Sequence, residues 1–369
     1  MDNREISGEQ ELIKLSVADP GFDTPPYIKQ ALTDALSLGY THYSGTKGVE
    51  LLRGALSEFY SKSYSAKIDP EREIVPTNGA GEALFIILHT FAEPGGEVIV
   101  PSPSYHGFLH KVPHTGMRTV YAPLSRDGEF RLDAASIERA ITDRTKLLFL
   151  CNPNNPTGVV YTREELDEIA SVLRKHRHVK VISDECYSRI LYDNARFYSL
   201  FSDESLRDQV IVVNSFSKTY AMTGWRLGWI IANQAFVDRF CETAFNIRSS
   251  VNSAVQYAGA RALLQGGGRE VEQMIKQYDE NRKIMMSKLE SMRVWFARPK
   301  GGFEIFADFS KYDSDSVRLK RRLEEQAKVQ TVAGSEFGDG GEGYLRLVFC
   351  GRKEKMVEGL ERIQAFLNA

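Results

Sequence analysis

A disulfide framework, a membrane-spanning run and a basic face are all missing from this chain of 369 residues. Its four cysteines, Cys151, Cys186, Cys241 and Cys350, are scattered with no paired spacing, which argues against structural disulfides or a zinc site and suits a reducing compartment. No apolar run approaches the roughly 18 residues of a membrane helix. The opening Met1-Asp2-Asn3-Arg4-Glu5 is too polar for a secretory leader. With a formal charge of −2 and its charged residues mixed rather than blocked, the chain offers no footprint for nucleic acid or a membrane surface. These absences point to a cytoplasmic protein of small-molecule chemistry without a metal centre. What is present, 42% hydrophobic and 26% charged residues, is an ordinary globular composition with length enough for one large core and a smaller domain.

From about residue 73 to 231, short β-branched runs at 73–75, 97–100, 146–150, 180–183, 210–213 and 227–231 alternate with longer helical patterns. That rhythm predicts an α/β fold: a mostly parallel central sheet flanked by helices. An earlier strand is expected at 15–17. A helical stretch follows around 236–264, the glycines Gly266-Gly267-Gly268 interrupt, and a charged amphipathic helix from 269 to about 292 leads into a tail. There, strands are expected at 303–309 and 344–349 and helices at 314–329 and 353–367. The expected division is a large α/β domain over 26–265 and a smaller α+β domain built from 1–25 with 266–369.

The most informative stretch is Ser215-Phe216-Ser217-Lys218-Thr219-Tyr220-Ala221-Met222-Thr223-Gly224-Trp225-Arg226, directly after one of the predicted strands. A free lysine amine is almost fully protonated at neutral pH, with a pKa near ~10.4, and a nearby cation and partial desolvation would lower it. Arg226 offers such a cation and a forked grip on phosphate, and a tight turn would bring it back beneath the Ser215 hydroxyl. Together these residues describe a pocket for a phosphorylated aldehyde. The full run closely resembles the cofactor-lysine signature of fold-type I pyridoxal-phosphate enzymes, in particular the class I/II aminotransferases, and the resemblance covers about residues 15 to 365.

In open parallel sheets ligands sit at the carboxyl ends of strands, and the chain's remaining candidates fall there. Gly79, Ala80 and Gly81 form a small-residue turn into a helix, suited to a phosphate. The resemblance implies that pyridoxal 5'-phosphate is held as a Schiff base on Lys218, with Ser215, Ser217 and Arg226 on its phosphate and Tyr105 stacked on its ring. It implies Asn155, in Asn152-Pro153-Asn154-Asn155-Pro156-Thr157-Gly158, on a carboxylate and a phenolic oxygen, and Asp184 on the ring nitrogen, where a buried carboxylate needs a cation. Tyr187 is the expected donor to the ring oxygen, and Cys186 lies against the ring. Arg346 matches the arginine that forks the substrate carboxylate. Tyr43 matches a tyrosine contributed to the phosphate across a homodimer interface. Lys218, once displaced by the substrate amine, would act as the base, with Asp184 and Tyr187 as its catalytic partners.

Departures cluster on the substrate side. Only about 14 residues precede the first predicted strand, Ala18 stands where relatives have a glycine, and Gly81 takes the place of a lysine that reads a distal carboxylate, which disfavours aspartate. Glu304, in Gly301-Gly302-Phe303-Glu304, is either a solvated acid or a substrate-facing one that would suit a cationic side chain, whereas Arg248 argues toward an acidic side chain. The expectation is transfer of an α-amino group from an amino acid to a 2-oxo acid. The alternatives are a lyase, cyclase or oxidase on the same cofactor, and a non-catalytic ligand-sensing domain, which the absence of a DNA-binding extension disfavours.

Overall fold

The computed structural model describes residues 11–266 and 268–368. After a short strand, β1 (Ile13–Lys14), seven strands build one sheet: β2 (Ile74–Thr77), β3 (Glu97–Ser102), β4 (Arg118–Pro123), β5 (Thr145–Cys151), β6 (Lys180–Asp184), β7 (Val210–Ser215) and β8 (Gly228–Ile231). Their spatial order is β2-β8-β7-β6-β5-β3-β4. Strands β3 to β7 pair in parallel, and β8 alone runs against its neighbours β2 and β7. All six expected strands are present. The unexpected one, β4, lies at the sheet edge and is mostly half-exposed, so it carries none of the continuous apolar signal of a strand buried on both faces.

Successive residues of a strand point to opposite faces, and here both faces are covered. Val210 and Val212 of β7 pack into one core with Leu56, Ile169 and Ala258. Ile211 and Val213 pack into a second with Leu84 and Ile87 of the helix Ala80–Thr90 and Phe236 and Phe240 of the helix Gln234–Phe245. Each such side chain contributes about 1.5–3 kcal/mol on full burial, so the faces are committed to packing and the strand ends are left for chemistry. Because β8 is reversed, its first residue joins that edge: Gly228 pairs with Thr77 of β2 and with Ser215 of β7.

The helix expected over 236–264 is in fact two, Gln234–Phe245 and Ser253–Leu264. Each starts on an asparagine, Asn233 or Asn252, whose side chain accepts an amide of the first turn. A helix Gly268–Ser291 then leads to β9 (Trp295–Phe296), β10 (Glu304–Asp308), β11 (Val329–Gln330), β12 (Val332–Ala333) and β13 (Tyr344–Val348). Four of them form an antiparallel sheet in the order β12-β13-β10-β9. The fifth, β11, pairs in parallel with β1, so the first strand forms two residues earlier than expected and Leu15-Ser16-Val17-Ala18 runs on past it. The helix expected over 314–329 is shorter, an α-helical Ser316–Arg322 widening into a π turn, Leu323–Ala327, that stops at Lys328 in the left-handed region.

Candidate active site

One end of the site is the turn between β2 and the helix Ala80–Thr90. Gly79 has φ +84°, and a Cβ there would lie 2.5 Å from Nη2 of Arg226, so both backbone and space ask for glycine. The helix has no side-chain cap, which leaves its first-turn amides and positive dipole end for an outside acceptor. Its Glu82 instead holds the Asn78 backbone N at 2.7 Å. Arg226, itself in the left-handed region, donates Nη1 to Thr223 O at 2.6 Å and Nη2 to Asn78 O at 3.2 Å. Its guanidinium therefore lies over Gly79. The Ser215 hydroxyl faces Cys186 Sγ at 3.6 Å, and Ser215 meets the Arg226 side of the turn through its pairing with Gly228. A Cβ on Gly228 would come within 2.9 Å of the Gly79 carbonyl carbon, so the start of β8 is pressed against the same turn.

Asp184 closes β6 and is 5% exposed. Its carboxylate accepts Cys186 N at 3.1 Å. Burial pushes it above the usual carboxylate range against the pull of that amide and of the Lys218 charge. Among the described residues it makes no ion pair. Tyr105, half-buried, is pushed up to about 12, first by burial and then by the Asp184 charge. The Asn152–Gly158 loop is buried throughout and pinned by Asn154, whose Nδ2 reaches Pro103 O at 3.2 Å and Thr157 Oγ1 at 2.9 Å. It holds Asn155 Oδ1 3.2 Å from Nη1 of Arg346.

Arg346, on β13, is 3% exposed, and its Nη2 donates to Ser16 O at 2.5 Å. Among the described residues its Nε is buried without a hydrogen-bond partner. Lys218 Nζ donates to Ala18 O at 2.5 Å. The segment running on from β1 thus holds both cations, at residues whose Cα atoms are at most about 7 Å apart. The carbonyl of Ser16 is a contributor that side-chain patterns do not reveal; Glu82 left a fainter trace, an acid in the first turn of a helix.

One of the two readings of Glu304 is corrected. Glu304 is not solvated: it is 0% exposed, with Oε1 accepting the Tyr187 hydroxyl at 2.5 Å and Oε2 accepting Phe303 N at 2.8 Å. In this arrangement the Tyr187 hydroxyl donates to Glu304. Arg248 is engaged within its own chain, Nε with Glu82 Oε2 at 2.9 Å and Nη2 with Pro76 O at 2.6 Å. Gly81 opens on empty space, with nothing within 4 Å of a Cβ built there, and Tyr43 lies 84% exposed. Ser217 is buried beside the lysine.

The residues fit pyridoxal phosphate. An uncapped helix start with Arg226 over it suits a phosphate, a buried carboxylate lacking an ion pair suits a protonated ring nitrogen, and the unpartnered Nε of Arg346 suits a carboxylate. The family model "Aminotransferase class I and II" matches residues 10–363. The chain is 35% identical to an aspartate aminotransferase of Pyrococcus abyssi, over 98% of this chain and 93% of that protein. It is 34% identical to aromatic-amino-acid aminotransferase 2 of Thermococcus litoralis, over 98% and 93%. Among solved structures, an aromatic aminotransferase from Pyrococcus horikoshii superposes with a TM-score of 0.93 at 36% identity, covering 97% of this chain and 96% of that one.

Proposed function

The chain belongs to the class I and II aminotransferase family and is a pyridoxal-phosphate-dependent amino-acid aminotransferase, and from that premise we propose how its own residues divide the work. When bound, the cofactor supplies an aldehyde that links to amines and a protonated ring that takes up the electron pair released at the substrate Cα. Lys218 holds the aldehyde and, once displaced, its Nζ takes the Cα proton and returns it on the same side. Asp184 keeps the ring nitrogen protonated. Arg226, Ser215, Ser217 and the amides at Gly79, Ala80 and Gly81 hold the phosphate, while Tyr105 packs on the ring. Arg346 grips the substrate carboxylate with Asn155, which orients the Cα–H toward Lys218. The observation that carries this division is the pair of cations on one backbone segment, Arg346 on Ser16 O and Lys218 on Ala18 O.

The same reading makes the active unit a homodimer in the cytoplasm, with Tyr43, exposed in a single chain, contributed to the partner's phosphate site. It also divides the chain into a cofactor domain over 26–265 and a small domain from 1–25 with 266–369. The open space at Gly81 supports amino acids other than aspartate, and Phe337, 5.2 Å from the Arg346 guanidinium, supports apolar or aromatic side chains. The deciding experiment is an absorbance scan of the holoprotein with single amino acids and no oxo acid, including arginine, lysine, alanine, glutamate, aspartate and phenylalanine. Conversion to the pyridoxamine band is the expected result, and its rates rank the substrates. Ammonia released while the cofactor stays in its aldehyde form would overturn transamination in favour of elimination, cyclisation or oxidation.

A further inference from the structure

Under the phosphate turn lies an ion pair that the division of labour above leaves without work. Its acid, Glu82, sits in the first turn of the helix Ala80–Thr90. There a carboxylate answers the positive end of the helix dipole, yet the same place sets a negative charge against a phosphate that carries close to two of its own. The structure binds this acid in two directions. Towards the turn, Oε2 accepts the Asn78 backbone N at 2.7 Å and Oε1 accepts Asn78 Nδ2 at 2.8 Å, so Asn78 is held by main chain and side chain together. The Asn78 carbonyl in turn accepts Nη2 of Arg226 at 3.2 Å.

Away from the turn, the same Oε2 accepts Nε of Arg248 at 2.9 Å, and Nη2 of Arg248 donates to Pro76 O at 2.6 Å. Its Nη1 is buried and has no hydrogen-bond partner among the described residues. Both side chains are largely shielded, 15% exposed for Glu82 and 8% for Arg248, so solvent and salt screen the pair only weakly. The row therefore runs cation, anion, amide, cation, from Arg248 to Arg226. We propose that Glu82 and Arg248 are positioning residues for the cofactor phosphate: Glu82 fixes Asn78, and through its carbonyl the Arg226 guanidinium over Gly79, while Arg248 cancels the charge that Glu82 would otherwise set against the phosphate. The inference rests on the cofactor assignment above and concerns its phosphate alone. The competing accounts are a plain tie within the fold, joining residues 166 apart in the chain, and an arginine kept for an acidic substrate side chain.

The test is titration of apo-protein with pyridoxal phosphate and, separately, with pyridoxal, which lacks the phosphate. The proteins are the wild type, Glu82→Gln, Glu82→Ala, Arg248→Met and the double variant Glu82→Gln with Arg248→Met. Glu82→Gln keeps an oxygen for Asn78 and drops the charge, so pyridoxal phosphate is expected to bind at least as tightly as to the wild type. Glu82→Ala loses the oxygen as well and is expected to bind it roughly tenfold more weakly. Arg248→Met leaves the Glu82 charge uncompensated and is expected to weaken binding by about tenfold or more, most of all at low salt. The double variant is expected to recover most of that loss. Pyridoxal should bind all of them nearly as it binds the wild type. Equal losses for the two ligands, or a loss in Arg248→Met that the double variant keeps, would mark a plain tie and overturn the proposal. So would unchanged pyridoxal phosphate binding in Arg248→Met with KM raised for glutamate and aspartate alone, the mark of an arginine that reads substrate. Should Arg248→Met fail to fold, Glu82→Gln decides by itself, because weaker pyridoxal phosphate binding there contradicts the proposal. Failure of the cofactor assignment would look different, as a wild-type protein that binds neither ligand.

Discussion

The end of β6 has two sides, and consecutive buried acids occupy them. Asp184 faces the cleft and, among the described residues, is served only by Cys186, through its amide at 3.1 Å and its thiol. Glu185, one residue on, points to the opposite face, where Ser199 donates to it at 2.5 Å, Ser183 at 3.2 Å and Tyr60 at 3.3 Å. Burial raises both, Glu185 to about 8. Equal in burial and almost equal in chemistry, they differ in whether the protein has filled their lone pairs. A carboxyl that neighbouring hydroxyls saturate belongs to the scaffold, whereas one kept dry and under-served is reserved for a cation that arrives from outside. Glu304 stands between these cases, saturated like Glu185 but by a residue of the site itself.

The largest effects should come from the cleft side. Lys218→Ala should reduce turnover by at least about 10⁴-fold while the protein still binds pyridoxal phosphate without a covalent link, and substantial remaining transamination would remove Lys218 as the base. Asp184→Asn should cost roughly 10²–10³-fold in kcat, with apo-protein stability no lower than wild type because an uncompensated buried acid has been removed. Glu185→Gln is its control. A loss of kcat as large as that of Asp184→Asn would break the contrast between the two sides.

Next in size is Arg346→Lys, expected to raise KM by about 10²-fold with a smaller change in kcat, since a point charge cannot replace the planar fork that Asn155 and Ser16 orient. Steady-state kinetics at saturating cofactor would read it. A milder effect concerns pH. Glu185 titrates in the folded protein at about 8 against an ordinary 4.5, so between those values the folded state holds a proton that the unfolded state has lost. Its contribution to stability is complete below pH 4.5 and is lost as pH rises toward 8. Urea unfolding at pH 5 and pH 8 should show the wild type losing about 1 kcal/mol or more relative to Glu185→Gln. The smallest expected change is a roughly fivefold weaker hold on pyridoxal phosphate in Tyr43→Phe, the worth of one hydrogen bond, measured by titrating apo-protein.

Legibility tracked distance along the chain. Gly79, Asp184, Lys218 and Arg226 each lie just beyond a strand or just before one, so the apolar run that announces the strand also announces the place of the residue. Strand β4 and the break after Phe245 were hidden because an edge strand and an asparagine cap interrupt no hydrophobic pattern. Arg248 misled for another reason: a charged residue in a loop says nothing about whether a partner such as Glu82 waits within its own chain.

By itself, the order of residues along the chain determined the α/β frame, the family and the row of candidate residues at the strand ends, because those depend on local periodicity and on turns whose backbone only glycine or a short polar run can follow. Tertiary structure decided the rest. Arg346 is joined to Ser16 across 330 residues, Lys218 to Ala18 across 200 and Tyr187 to Glu304 across 117. No local propensity encodes such pairs. They exist because packing brings segments far apart in the chain together and closes a long loop, and only that closure turns an acid with every outward sign of being solvated into one sealed against Tyr187.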